Sequence, residues 1–287
     1  MSDFGLKLKE YSEYFDLKAE KFFGSLTNCP KSLLVSMKYS FFSGGKRLRP
    51  ALMFTVAEAL GLTKDSVLKY ALAVELIHNY SLIHDDLPSM DNDDYRRGKL
   101  TSHRKFGEAM AVLTGDALLN LAYEVLFSIK DVFTGSEKAK SFIAECAGIN
   151  GMIKGQVYDI FGAEEEGING IYSIIDNKTS ALISAAVITP ALLISYKNTD
   201  RLKEYSKKLG EFFQISDDIM DYEGDPYIIG KDVNKDGDKN TFVNKIGLEE
   251  TKILNNKVYT ECKEILTFLS GFDLLSEATD YIYNRKK

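Results

Sequence analysis

VLKYALAVELIHNYSLIHDDLPSMDNDDYRRG, residues 67–98, runs an apolar helical stretch straight into a cluster of carboxylates. From 67 to 85 the apolar residues recur at helical spacing, through Val67, Ala71, Val74, Ile77 and Leu82. Segments 108–130, 136–160, 170–196, 201–221 and 249–269 have the same period. Only five prolines interrupt the chain, runs of β alternation are few, and there is no βαβ rhythm. The expected fold class is all-α. Breaks are expected at Gly44-Gly45, Gly61, 92–98, 162–170 and 224–239. No low-complexity linker divides the chain, so residues 1–287 are read as one domain.

The chain carries 36 basic and 42 acidic side chains, a net charge of −6. That argues against a nucleic-acid partner or a general anionic-membrane binder. Three cysteines, Cys29, Cys146 and Cys262, are widely spaced and form no CxxC. They suit a reducing compartment, and a cytoplasmic location is expected. The N-terminal stretch is amphipathic and lacks the apolar core of a signal peptide. The longest uncharged run, 179–196, carries serines, threonines and Pro190. It reads as a buried core helix kinked or broken near Pro190, without stable membrane insertion.

Two aspartate clusters dominate the polar pattern. Asp85, Asp86 and Asp91 form one; Asp217, Asp218 and Asp221 form the other. Each follows a mostly apolar helix, where like charges repel and are costly to desolvate. A divalent cation removes that difficulty, and oxygen-only ligands point to Mg²⁺. Asp217 and Asp221 share a helix face. Asp85 and Asp91, six apart, would not align on an undisturbed helix, but Pro88 loosens it. Mg²⁺ held this way usually shares its shell with substrate phosphates. Basic residues stand nearby in sequence: Lys46, Arg47 and Arg49 after Gly44-Gly45, then Arg96 and Arg97, with Lys178, Lys231 and Lys239 around the second cluster. Arginines beside a metal cluster suit bidentate phosphate recognition. GGKRLRP lacks Walker A spacing. Asp232, Asn234, Asp236 and Gly237 imitate the start of an EF-hand loop, but Val243 occupies the position where a bidentate Glu is required.

The ordered set GGKRLRP, LIHDDLPSMDNDDYRRG, FGEAMAVLTGDALL, GQVYDI, KTSALI, FQISDDIMDYEGD and GKD resembles the trans-isoprenyl diphosphate synthases, from about residue 25 onward. The DDxxxxD form of the first motif looks like that of bacterial short-chain members of the farnesyl diphosphate synthase type. The resemblance implies helices around a deep apolar cavity, a homodimer, and head-to-tail joining of isopentenyl diphosphate to dimethylallyl and geranyl diphosphate. It implies three Mg²⁺ per site, with Mn²⁺ able to substitute, and makes Asp85, Asp91 and Asp217 the direct ligands within the two motifs. Arg96, Lys178 and Lys231 would hold the allylic diphosphate. Lys46, Arg49, His78 and Arg97 would hold isopentenyl diphosphate against Gly45. Thr179 and Gln214 would steady the allylic cation. Lys239 would help close the site, and Arg285 would cover the isopentenyl side. His84 is read as structural. His103 is read as either structural or phosphate-contacting.

Product length should be set on the helix carrying Asp85. Ser81, His78 and Val74 lie within about 40° of Asp85 on a 3.6-residue wheel. Small Ser81 leaves room beneath the diphosphate, while Tyr80 by resemblance forms part of the floor, favouring C15 over C20 or C10. A terpene cyclase would not retain three carboxylates in the second motif, nor need the basic isopentenyl site. A non-catalytic partner subunit would have lost motif carboxylates.

Overall fold

The computed structural model describes residues 3–130, 132–223 and 241–285. These residues are helical apart from one two-stranded ribbon, and a connected apolar core runs from Phe4 to Ile282. Helix α1, Asp3–Gly24, buries Phe4, Leu8, Tyr11, Phe15, Ala19 and Phe23, one stripe at three- and four-residue spacing. α2, Lys31–Phe41, and α3, Leu48–Ala59, follow. The rings of Phe15 and Phe23 both meet Phe41.

α4, Lys64–Asp85, is the central helix, with buried residues all round its circumference from Val67 to Ile83. Thr63 caps its start by accepting from the Ser66 N–H at 3.3 Å. Its far end is set by Pro88, which cannot continue a helix and restricts the residue before it. The chain turns back there, and the Asp91 N–H donates to the Asp85 carbonyl at 2.9 Å. The break expected at 92–98 is a ribbon of β1, Tyr95–Arg96, and β2, Lys99–Leu100. Arg97 and Gly98 form its turn with φ of 54° and 73°, the positive pair that matches strand twist.

After α5, Ser102–Phe106, the long helix α6, Glu108–Phe127, packs along α4. Gly115 of α6 permits this, because a Cβ there would overlap the His84 ring. Among the described residues α6 alone is long and apolar enough to cross a bilayer, but Ala111, Leu118, Ala122 and Val125 are buried in the protein. The expected helix 136–160 is two, α7, Ser136–Ala147, and α8, Met152–Phe161, separated at Gly148 and Gly151.

The segment 170–196 also departs from expectation. α9, Gly167–Ile175, continues through a π-helical turn, Asp176–Ser180, into α10, Ala181–Leu193. The irregularity lies at this π turn. Pro190 stays within α10, and the helix ends three residues after it. α11, Thr199–Glu223, carries the second aspartate cluster on its last turns. α12, Phe242–Ile246, α13, Leu248–Thr267, and α14, Asp273–Tyr283, complete the fold.

One buried ion cluster ties the N-terminal layer to α4. Arg47 is 3% exposed and donates to Asp16 at 2.8 Å, to Glu75 at 2.8 Å and to the Phe41 carbonyl at 2.7 Å. Its guanidinium lies 4.7 Å from the Phe41 ring centre. Arg47 thus pins the GGKRLRP loop. Removing one partner of such a pair strands a buried charge. The expected cost of Glu75→Leu is about 3 kcal/mol, read by urea unfolding. A loss below about 1 kcal/mol would show that Asp16 and Phe41 suffice.

Candidate active site

The ends of α4 and α11, the π turn and the GGKRLRP loop bring most of the expected residues together. Asp85 lies at the end of α4, and Gln156 Nε2 of α8 donates to its Oδ1. Burial is the main cause that pushes the Asp85 carboxyl up to about 6; Lys178 opposes that shift, while Asp91 and Asp86 reinforce it. Asp86 points elsewhere. It is 3% exposed and accepts from Arg96 Nε with both oxygens, at 2.7 and 3.0 Å. Burial is the largest single influence and works against the Arg96 charge, but the Asp86 hydrogen bond together with the attraction of Asp86, Asp85 and Asp93 outweighs it, so the guanidinium titrates above its ordinary value. Of the first motif, Asp86 is therefore committed to Arg96, while Asp91 is exposed.

The π turn carries Lys178 and Thr179. Two glycines let it be gripped from both sides: a Cβ on Gly155 would overlap the Lys178 backbone, and one on Gly210 would overlap Ser180. Lys178 Nζ donates to Asp159 of α8 at 2.5 Å. Thr179 Oγ1 donates to Gln214 Oε1 at 3.0 Å, and Gln214 Nε2 donates to Asp218 Oδ1 at 3.0 Å. Asp218 Oδ2 accepts the Phe242 N–H at 3.2 Å. Burial pushes the Asp218 carboxyl to about 6 despite these bonds. Asp217 pairs with Arg285 at 2.5 Å, and Arg285 lies 4.1 Å from the Phe213 ring centre.

The basic side is built by positive-φ backbone. Gly45, at φ +114°, leaves space that the Arg97 guanidinium fills, and Arg97 donates to the Gly44 carbonyl. Arg49 Nε is buried without a hydrogen-bond partner. Burial lowers its pKa, as does Arg97, while Glu75 and Asp217 offset part of that. His78 is driven well below its ordinary value by burial and then by Arg49, Arg97, Arg96 and Arg47, so it is a neutral imidazole. Lys46 is exposed, and its carbonyl accepts from Ser12 at 3.2 Å. A buried guanidinium nitrogen lacking an acceptor, beside a second arginine, suits an anion.

Tyr80 is buried and meets His84 at 5.7 Å between ring centres. Burial, then Tyr123 and Asp85, pushes its hydroxyl to about 12. Ser81 donates to the His78 carbonyl at 2.9 Å. His84 contacts the Val112 carbonyl at 3.2 Å, and His103 Nδ1 meets Thr101 Oγ1 at 3.1 Å. Lys231, Lys239 and the residues of the EF-hand-like start lie outside the described residues. Val243 is buried in α12, away from any ligand role. Gln156 and Asp159 were not among the expected site residues. Their signal was polar residues three apart within GQVYDI, on a helix otherwise rich in aliphatic side chains.

Among the described residues no three acidic, histidine or cysteine side chains converge to hold a metal unaided. The donor set is nevertheless all oxygen, at Asp85, Asp91 and Asp217. It fits a hard cation that completes its shell with water and phosphate. Facing carboxylates and cations on an all-α frame define a diphosphate-handling enzyme site. Residues 30–264 match the polyprenyl synthetase family, so the chain belongs to that family. It is 38% identical to the farnesyl diphosphate synthase of Micrococcus luteus, over 98% of this chain and 99% of that one. It is also 38% identical to the geranylgeranyl pyrophosphate synthase of Catharanthus roseus, over 83% of this chain and 69% of that one. A geranyltransferase structure from Helicobacter pylori, complexed with magnesium and isoprenyl diphosphate, superposes with a TM-score of 0.85 at 32% identity, covering 99% of this chain and 97% of that one.

Asp85 and Asp218 have folded-state values of about 6 against ordinary values of 3.8. The native state therefore binds these protons more tightly than the unfolded state. Their contribution to stability rises as pH falls from about 6 to about 4, and the full burial cost is present above 6. In EDTA, the melting temperature of wild type relative to the Asp85→Asn/Asp218→Asn variant should rise across that acid window. A pH-independent difference would contradict the shifts.

Proposed function

We propose that the protein condenses isopentenyl diphosphate with dimethylallyl and then geranyl diphosphate, releasing diphosphate and ending at farnesyl diphosphate. The observation that carries this reading is the orphaned Arg49 Nε, close enough to Arg97, neutral His78 and Asp217 to feel their charge or shift their titration. A cyclase has no use for this second anion pocket. The 38% identity to a C15 enzyme spans 287 residues and that to a C20 enzyme 247, which favours C15, and the local geometry bears on it further. Buried Tyr80 beside Tyr123 and His84 supports a floor that stops at C15.

Asp85, Asp91 and Asp217 would hold Mg²⁺, three ions per site by the family pattern. Bound Mg²⁺ would neutralise charge on the departing diphosphate. Lys178 and Arg96, now held by Asp159 and Asp86, would add fixed positive charge on the allylic side. Arg49, Arg97 and Lys46 would anchor isopentenyl diphosphate, with His78 as a neutral hydrogen-bonding partner. The allylic C–O bond breaks, a new C–C bond forms to the isopentenyl double bond, and a proton leaves. Thr179 gives its hydroxyl hydrogen to Gln214, so its oxygen lone pairs can face the developing cation. The departing diphosphate is the natural proton acceptor. The test is a product assay by mass spectrometry with dimethylallyl, geranyl or farnesyl diphosphate as starter, with Mg²⁺ or EDTA. The expected result is Mg²⁺-dependent C15 and a shift toward C10 in Ser81→Phe. A C20 product would overturn the floor, and no condensation would overturn the reading.

We also place the protein in the cytoplasm, as its three free thiols suggest, and read it as a homodimer. Exposed Val112 and Leu113 on α6 support an apolar interface. Light scattering on the eluting protein should give twice the chain mass of 32.2 kDa. A single-chain mass at micromolar concentration would refute the dimer.

A further inference from the structure

α8 is amphipathic in the wrong direction for a core helix. Ile153, Val157, Ile160 and Phe161 are exposed, while Gln156 and Asp159 turn inward. Only Met152 and Gly155 of this helix are buried. Apolar burial therefore does not explain how α8 sits. Its two inward polar side chains each hydrogen-bond a group of the site. Gln156 donates to Asp85, and Asp159 accepts from Lys178. Gly155 lies directly against the Lys178 backbone, so the two grips act from one turn of helix held at fixed depth.

Resting on the reading above, we propose that Gln156 and Asp159 are positioning residues for the allylic half of the site. The Gln156 amide can only donate to an ionised carboxylate, so it ties up Asp85 Oδ1 and leaves Oδ2 to face the cation. Asp159 holds the Lys178 ammonium at the π turn, against the loss of a long, mobile side chain to solvent. One rigid turn thereby sets the separation between a metal-holding carboxylate and a diphosphate-holding cation. The isopentenyl half, built on the GGKRLRP loop and Arg97, has no contact with these two side chains among the described hydrogen bonds.

The test uses Gln156→Met, which keeps length and shape without the donor, and Asp159→Asn. Calorimetry with Mg²⁺ and inorganic pyrophosphate is the readout independent of turnover. Gln156→Met is expected to weaken that binding about tenfold, in the range for residues that orient metal ligands. Asp159→Asn is expected to raise KM for geranyl diphosphate about fivefold, while KM for isopentenyl diphosphate stays unchanged in both variants. Pyrophosphate affinity and allylic KM within twofold of wild type in both variants would overturn the proposal. So would equal losses for both substrates accompanied by a lowered melting temperature, which would mark a merely structural role. A wild type that binds Mg²⁺-pyrophosphate yet condenses nothing would defeat the proposed reaction while the binding comparison still decided this one. A wild type that binds none would overturn both.

Discussion

Keeping carboxylates ionised where water reaches them poorly is the constraint on which this structure turns. Asp85 and Asp218 are both pushed toward protonation by burial. Each is met by a dedicated donor, Gln156 for one and Gln214 with the Phe242 N–H for the other. The remaining carboxylates and cations are largely matched in pairs, Asp86 with Arg96, Asp159 with Lys178 and Asp217 with Arg285. Broken pairs at such depth are costly, while intact pairs contribute little net stability. The arrangement is therefore better understood as storage of charge than as a source of stability. A diphosphate and its metal would take over partners that the protein supplies to itself in their absence.

Much of the site could be read from the chain because its chemistry is local. The two aspartate clusters, the proline that returns Asp91 to Asp85, and the glycines before Lys46 each act within a few residues. Partner choice was less legible. Asp86 and Arg96 are ten apart, and nothing in their spacing says that they bind one another through a type I′ ribbon. Gln156 meets Asp85 across 71 residues, a contact created only when α8, packed on the π turn, reaches the end of α4. Pro190 misled for a physical reason. Pro190 takes the N–H donor away from the Ala186 carbonyl, yet α10 runs on to Leu193, and the irregularity at residues 176–180 has no proline or glycine to announce it.

The helices around the site divide their duties. α4 is buried on every side and supplies rigidity, α6 lies along it through the His84–Gly115 approach, and α8 faces the site with its polar residues. Arg47, although next to Lys46 in a basic motif, belongs to the frame: its three hydrogen bonds hold the loop from which its neighbours reach inward. Charged motif residues thus split between those proposed to face a ligand and those, like Arg47, that hold the motif still.

The π turn also makes the segment a register counter. A π-helical turn is an α-helical turn with one residue inserted. Every side chain after residue 180 is consequently displaced by about 100° from where an uninterrupted helix would aim it. Substitutions at 176–180 change one group each. A one-codon deletion there would instead rotate α10 as a whole against α3, α7 and α11. Outside Lys178 and Thr179, the gene should therefore accept amino-acid exchange in this stretch far more readily than any change in its length.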